Sequence, residues 1–339
     1  MNNFDYKKAT NINQAINLIN QNPDAMFLAG GTNLIDLWKY NLTHPSELVD
    51  INHIEGNETV SALENGGIRL SAFAKNADTA YHPIIEKRYP LLSKAILAGA
   101  SAQIRNMASN GGNLLQRTRC YYFYDPEVPC NKRIPGSGCP AVAGYNRMHA
   151  ILGTSDDCIA VFPSDMCVAL SVLNASVNVS GPEGERTIAF ADFHRLPGNR
   201  PDLDNTLKPG ELIISIDLPK EGFSENYSYL KLRDRHSYAF ALVSVATGFK
   251  LDGAIISEAR IALGGVAHKP WRIEEAELFL KGKEPTQINF SSAADIILKG
   301  AKGFGHNDFK ILLAKKAITR NCSMALDPSS QLPGAKPSA

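Results

Sequence analysis

The chain has no CxxC pair, no GKS or GKT phosphate loop, no GxGxxG fingerprint, no HExxH, and no apolar run of bilayer-spanning length. Its charge has almost no net sign: 35 Lys and Arg stand against 34 Asp and Glu. Without a global field the chain has no general attraction for nucleic acid or an anionic membrane, so any partner is recognised by a local surface. The opening MNNFDYKKATNINQAINLINQ places polar residues where a secretory signal needs an unbroken apolar core, so cytoplasmic residence is expected from this chain alone. No Ser-His-Asp arrangement appears, and His149, His194, His236 and His268 each have loop or core explanations. No catalytic side chain is therefore assigned.

What is present is enough apolar material, 44% of 339 residues, to build two or three cores. Phe4, Asp5 and Tyr6 read as a strand, and Thr10 or Asn11 as the cap of a helix carrying Ile12, Ala15, Ile16 and Ile19. A buried strand over 25–29, a Gly-Gly turn, a helix over 34–40 and a strand over 48–51 complete a small α/β lobe. A second lobe begins with a strand over 67–70 and a helix through Leu91, Leu92, Ala95 and Ile96, then reaches another Gly-Gly turn at 109–113. Val177 and Val179 alternate with polar neighbours into a hairpin turn at 181–184, and 211–219 gives a further strand. Residues 220–227 read as a linker, 238–250 and 259–263 as strands, and 271–280 and 292–298 as helices of a separate α+β domain. The Pro-, Ser- and Gly-rich end is expected to be disordered.

Both glycine pairs precede an Asn and a Leu-rich helix start: Thr32, Asn33, Leu34 in one, Gly112, Asn113, Leu114 in the other. Adjacent glycines let backbone amides approach an anion closely, and a helix N-terminus adds partial positive charge. One such pair alone is commonly a simple chain reversal. Two of them, one per lobe, could grip a single diphosphate, and a dinucleotide such as FAD fits that arrangement.

Five of the six cysteines fall in one window, spaced Cys120-x9-Cys130-x8-Cys139-x18-Cys158-x8-Cys167. In a reducing compartment such a cluster points to metal or catalysis rather than disulfides. The spacing fits neither a zinc knuckle nor a ferredoxin run, but a folded loop can still gather four thiolates around a 4Fe-4S cluster. Four thiolates on an oxidised 4Fe-4S core carry net negative charge that needs nearby cations and amides. Arg117, Arg119, Lys132, Arg133 and Arg147 supply the cations against Asp125 and Glu127, with Gly136 and Gly138 available for amide donation, although such charges also serve simply to solvate a loop. Cys120, Cys130, Cys139 and Cys158 are the expected ligands. Cys167 lies in an apolar run that reads as a core helix, and Cys322 is expected to be structurally neutral.

Taken together, Leu-Ala-Gly-Gly-Thr-Asn-Leu, Gln103-Ile-Arg-Asn106 with Ser-Asn-Gly-Gly-Asn, the loop Cys-Asn-Lys-Arg-Ile-Pro-Gly-Ser-Gly-Cys, and Pro163-Ser-Asp165 resemble the FAD-binding medium subunits of the xanthine dehydrogenase family of molybdenum hydroxylases. More narrowly, the chain is similar to the flavin subunits of bacterial periplasmic aldehyde oxidoreductases, whose flavin domain carries an inserted 4Fe-4S loop. The resemblance runs to about Arg320. It implies a two-lobed vanillyl-alcohol-oxidase-type FAD-binding fold followed by an α+β C-terminal domain of the CO dehydrogenase flavoprotein type. It implies FAD contacts at Leu28, Ala29, Gly30, Gly31, Thr32, Asn33 and Leu34, at Ser109, Gly112 and Asn113, at Ser164 and Asp165 beyond an insertion of roughly forty-five residues, at Ile213, and at Lys231. The expected organisation is lobe one over 1–55, lobe two over 56–222 with the iron–sulfur loop at about 115–160, the third domain over 223–325 and a tail over 326–339. The partners implied are a large molybdenum-cofactor subunit and a small subunit with two 2Fe-2S clusters. The function implied is electron transfer from molybdenum through iron–sulfur centres to FAD and an external acceptor.

The first glycine turn has no adjacent Tyr that would bear on flavin shielding, which leaves oxygen reactivity open, and no nicotinamide site is recognisable, so NAD reduction is not expected. Two other readings fit the same residues. One is the flavin subunit of a hydroxybenzoyl-coenzyme A reductase-like enzyme, with reversed electron flow; the other is a stand-alone flavin oxidase whose cysteine loop is structural. Export to the periplasm would require a twin-arginine signal on a partner.

Overall fold

A computed structural model describes residues 2–54 and 58–328; the expected disordered tail lies, from Ser329 onward, outside the described residues. The chain forms three sheets, each with its own core. The first contains β1 (Asp5–Lys8), β2 (Ala25–Leu28) and β3 (Glu47–Asp50), all parallel in the order β1-β3-β2. The helix Ile12–Gln21 starts where Asn11 Oδ1 accepts from the Gln14 amide at 2.9 Å, while Gln14 Oε1 accepts from the Thr10 amide at 2.8 Å. This reciprocal capping satisfies donors that a helix start leaves free. β2 was expected to be buried but is half-buried throughout, because Met26 and Phe27 face a large cavity instead of packed side chains.

The second sheet comprises β4 (Val60–Ala62), β5 (Ile68–Ser71), β6 (Ser176–Gly181), β7 (Gly184–Ala189) and β8 (Leu212–Leu218) in the antiparallel order β4-β5-β8-β6-β7. Val177 and Val179 are fully buried, as their alternation predicts. Asn178 and Ser180 are buried as well, since β6 is an inner strand; Asn178 is satisfied by Ser215 at 2.9 Å and Thr187 at 2.7 Å. Against this sheet lie the helices Pro90–Ala98 and Asp165–Val172. Every residue of Asp165–Val172 is buried, which explains why this run, Cys167 included, has no polar face.

The third sheet, in the antiparallel order β12-β11-β10-β9, consists of β9 (Asn226–Leu232), β10 (Val243–Asp252), β11 (Ile255–Gly264) and β12 (Trp271–Arg272). It packs under the helices Glu274–Leu280, Gln287–Ile297 and Phe309–Leu326. Three expectations need correction. β9 begins inside the expected linker, residues 238–242 form a loop rather than the start of a strand, and Trp271 pairs as a strand with Leu263 instead of opening a helix. The last helix is absent from the sequence expectations because its buried stripe, Lys310, Ala314, Ala317, Ile318, Asn321, Cys322 and Ala325, mixes polar and small residues with a single large aliphatic one. That stripe has helical spacing but little apolar contrast. Among the described residues no helix is long and apolar enough to cross a membrane.

Candidate cofactor sites

A cavity of about 800 Å³ opens where the three sheets and the cysteine-bearing insertion meet. The first glycine turn supplies Ala29, Gly30, Gly31, Thr32, Asn33 and Leu34 to its wall, the second motif supplies Ser109, Gly112 and Asn113, and Asp165 and Ile213 close the base. Leu28, Ser164 and Lys231 do not line it. Gly31 takes a positive φ of 71° that L side chains resist. Gly30 matters for contact: a Cβ there would lie 1.9 Å from the Met107 carbonyl oxygen, so the two motifs touch backbone to backbone.

The second glycine motif is not a turn between strand and helix. Ser109 caps the short helix Asn110–Leu114, its Oγ accepting from the Gly112 amide at 3.2 Å, and the glycines form the first turn of that helix. Beneath it runs a buried amide ladder that the sequence reading missed. Asn113 donates to Asn76 at 2.7 Å, Asn76 to Asn110 at 3.0 Å, and Asn110 to the Ser71 carbonyl at 2.9 Å. Ser164 joins by donating to Asn113 at 2.6 Å, so it acts on the cavity through that residue.

Lys231 likewise works at one remove. Its ammonium donates to Asp165 at 2.8 Å and to the Ala98 carbonyl at 3.0 Å, and Tyr229 donates to the other Asp165 oxygen at 2.5 Å. Burial, reinforced by the Asp165 charge, pushes the Tyr229 phenol well above its usual range and keeps it a donor. Two further polar groups on the wall lack a full set of partners. Asn33 Nδ2 is buried without an acceptor, and the buried Arg105 guanidinium binds the Gly99 carbonyl at 2.6 Å with no carboxylate pairing it among the described residues. Both suit an anionic or acceptor-rich ligand.

Cys120, Cys130, Cys139 and Cys158 ring a second, small cavity; Cys167 and Cys322 stand elsewhere in buried cores. Local turns place the thiols. Cys120 begins the helix Tyr121–Tyr124 and receives the Tyr122 and Phe123 amides, Cys139 begins the turn Pro140–Val142 and receives Ala141 and Val142, and Cys158 receives Ala160. Burial pushes the Cys120 thiol up to about 12 and Cys158 to about 11, so a metal must displace protons to bind. Lys132, fully buried, counters that rise at Cys158 and is held by Asp204, which also binds Arg117 at 2.5 Å and His268 at 3.2 Å. Among the described residues no three His, Cys, Asp or Glu side chains are grouped to hold one metal ion. The free space between the thiols is about 10 Å³, so the donor set and its amides, rather than an open void, make the fit to a cluster. Phe123 lines both cavities.

Residues 2–221 match the model of the FAD binding domain in molybdopterin dehydrogenase, and residues 227–323 match the CO dehydrogenase flavoprotein C-terminal domain. The chain belongs to the FAD-binding medium subunits of the molybdenum hydroxylase family. It is similar to the aldehyde oxidoreductase FAD-binding subunit PaoB of Escherichia coli K12, with 46% identity over 93% of this chain and 96% of that protein. It is 27% identical to the glyceraldehyde dehydrogenase medium chain of Sulfolobus acidocaldarius, over 87% and 86% of the two chains. The carbon monoxide dehydrogenase of Hydrogenophaga pseudoflava shares the fold, with a TM-score of 0.75 at 24% identity over 96% of this chain and 97% of the other. This medium subunit is thus an oxidoreductase component with a two-lobed FAD-binding fold. The Asn33 Nδ2 without an acceptor, the Arg105 guanidinium that no carboxylate among the described residues pairs, and the close-packed glycine backbone at Gly30 fit FAD in the larger cavity.

Proposed function

We propose that the chain is the FAD and 4Fe-4S electron-transfer subunit of a heterotrimeric molybdenum-containing aldehyde oxidoreductase. In this reading a large molybdenum-cofactor subunit oxidises the aldehyde, and a small subunit with two 2Fe-2S clusters relays the electrons. FAD supplies a carrier that accepts electrons from one-electron centres and releases them to an external acceptor. The observation that carries the reading is the common wall: four cysteines ring one cavity, and Phe123 separates it from the flavin cavity. The extent of identity to an aldehyde oxidoreductase subunit supports the substrate class.

The chain's own residues divide the work. Gly30, Gly31, Thr32 and Asn33 with Ser109 and Gly112 would hold the diphosphate through backbone and small polar groups, with Arg105 offsetting its charge. Asp165, fixed by Lys231 and Tyr229, would fix a polar edge of the cofactor, and Ile213 would pack against its apolar part. Cys120, Cys130, Cys139 and Cys158 would hold the cluster, with Lys132 close enough to offset part of its charge. Co-purification with the two partner chains and a panel of aldehydes with an artificial acceptor tests the function. Aldehyde-dependent acceptor reduction is expected, and a complex that lacks molybdenum or ignores every aldehyde contradicts it.

A further inference from the structure

His149 is 1% exposed and lines the cysteine cavity. Its Nε2 lies 3.1 Å from Cys120 Sγ, while its Nδ1 is buried without a partner. An imidazole carries at least one N–H. Placed on Nδ1, that hydrogen would be a buried donor with nothing to bind; placed on Nε2, it points at the sulfur. A cysteine bound to iron is a thiolate and can only accept.

The backbone that carries the ring is held by the last helix and the loop before it. Lys310 Nζ donates to the His149 carbonyl at 2.7 Å and to the Gly265 carbonyl at 2.5 Å, and Asn307 Nδ2 donates to the Ala150 carbonyl at 3.0 Å. The His149 amide in turn donates to the Asn146 carbonyl at 2.9 Å, and Asn146 Nδ2 donates to the Phe304 carbonyl at 2.7 Å. Lys310 is completely buried and its bonds run to carbonyls, an arrangement that spends a lysine on fixing one short stretch of backbone. The third domain therefore sets where this imidazole stands. Neither Lys310 nor His149 has a place among the flavin contacts.

We propose that His149 is a positioning residue of the iron–sulfur site, donating an Nε2 hydrogen bond to the Cys120 sulfur that raises the reduction potential of the cluster, with Asn307 and Lys310 holding it there. A hydrogen bond to a cluster sulfur stabilises the reduced, more negative state more than the oxidised one. The proposal rests on the reading of the four cysteines as 4Fe-4S ligands, and its test separates the two. In the complex purified without oxygen, His149→Phe is expected to keep its iron and sulfide while the midpoint followed by electron paramagnetic resonance falls by about tenfold in the one-electron equilibrium, about 59 mV. His149→Gln, which retains an N–H, is expected to recover part of that fall. Full iron with an unmoved midpoint overturns the hydrogen bond and leaves the cluster standing; a wild-type complex with no iron beyond that of the partners' 2Fe-2S clusters overturns the cluster reading itself. Should His149→Phe lose its iron, wild-type protein grown with 15N-histidine decides the matter. A nitrogen coupling to the reduced cluster is expected, and its absence contradicts the bond.

Discussion

The two cavities meet at Phe123 yet are built from opposite materials. The larger one is made of backbone: Gly30 packs on the Met107 carbonyl, Gly31 takes a left-handed φ, and Gly112 leaves space where a Cβ would meet only the Ser109 hydroxyl. The smaller one is made of side chains: four thiols, one imidazole whose backbone the third domain holds, and one buried lysine held by Asp204. A site made of backbone is sensitive to added atoms, whereas a site made of side chains is sensitive to removed ones. The insertion also contributes Arg117, Arg119, Tyr121, Tyr145 and Arg147 to the wall of the larger cavity, so it lines the flavin site as well as holding the thiols.

Breaking this division should give separable losses. Cys130→Ser, which removes one thiol at a part-exposed position, is expected to abolish this chain's cluster absorbance and the iron beyond that of the partners' 2Fe-2S clusters while FAD stays bound; iron retained at the wild-type level would remove Cys130 from the ligand set. Gly30→Val should do the reverse, because the added Cβ forces the two glycine motifs apart. FAD is expected to bind at least tenfold more weakly, about 1.4 kcal/mol or more, with iron unchanged, and stoichiometric FAD in that variant would contradict the backbone contact.

Asp165 sharpens the comparison, since it is a side chain on which the backbone-built cavity depends. Asp165→Ala leaves the buried Lys231 ammonium without its carboxylate, an omission that costs about 3–5 kcal/mol, measurable as a lower urea midpoint. An unchanged midpoint would mean that the pair is held apart from the core. A further effect concerns His194, which stands among Phe162, Phe190 and Phe193 and donates to the Leu114 carbonyl at 2.9 Å. Burial lowers its pKa to about 4, below the unfolded value of about 6.5. The unfolded chain therefore takes up the proton first, and this contribution to stability is complete above pH 6.5 and is lost as pH falls toward 4. His194→Phe should flatten that part of the stability profile; an identical acid limb in the variant would remove His194 as its cause.

The strands and motifs with strong local chemistry were legible in the sequence. The Asn11 cap, the Val177 and Val179 alternation, the buried run around Cys167 and the first glycine turn all appear where the residues place them. What stayed hidden depends on contacts between distant segments. The asparagine ladder joins Asn76 to Asn110 and Asn113, and the His149 brace joins the insertion to Asn307 and Lys310 of the third domain. Polar residues of these kinds look like ordinary surface positions until the fold buries them. Lys231 pairs with Asp165, a pairing across sequence that no local pattern announces.

Cofactor content is the most direct test of the two-site account. The complex, purified without oxygen together with its partner chains, is predicted to yield one FAD and, beyond the iron of the partners' 2Fe-2S clusters, about four irons and four acid-labile sulfides assignable to this chain. A complex in which this chain brings FAD with zinc, or FAD with no metal at all, would contradict it.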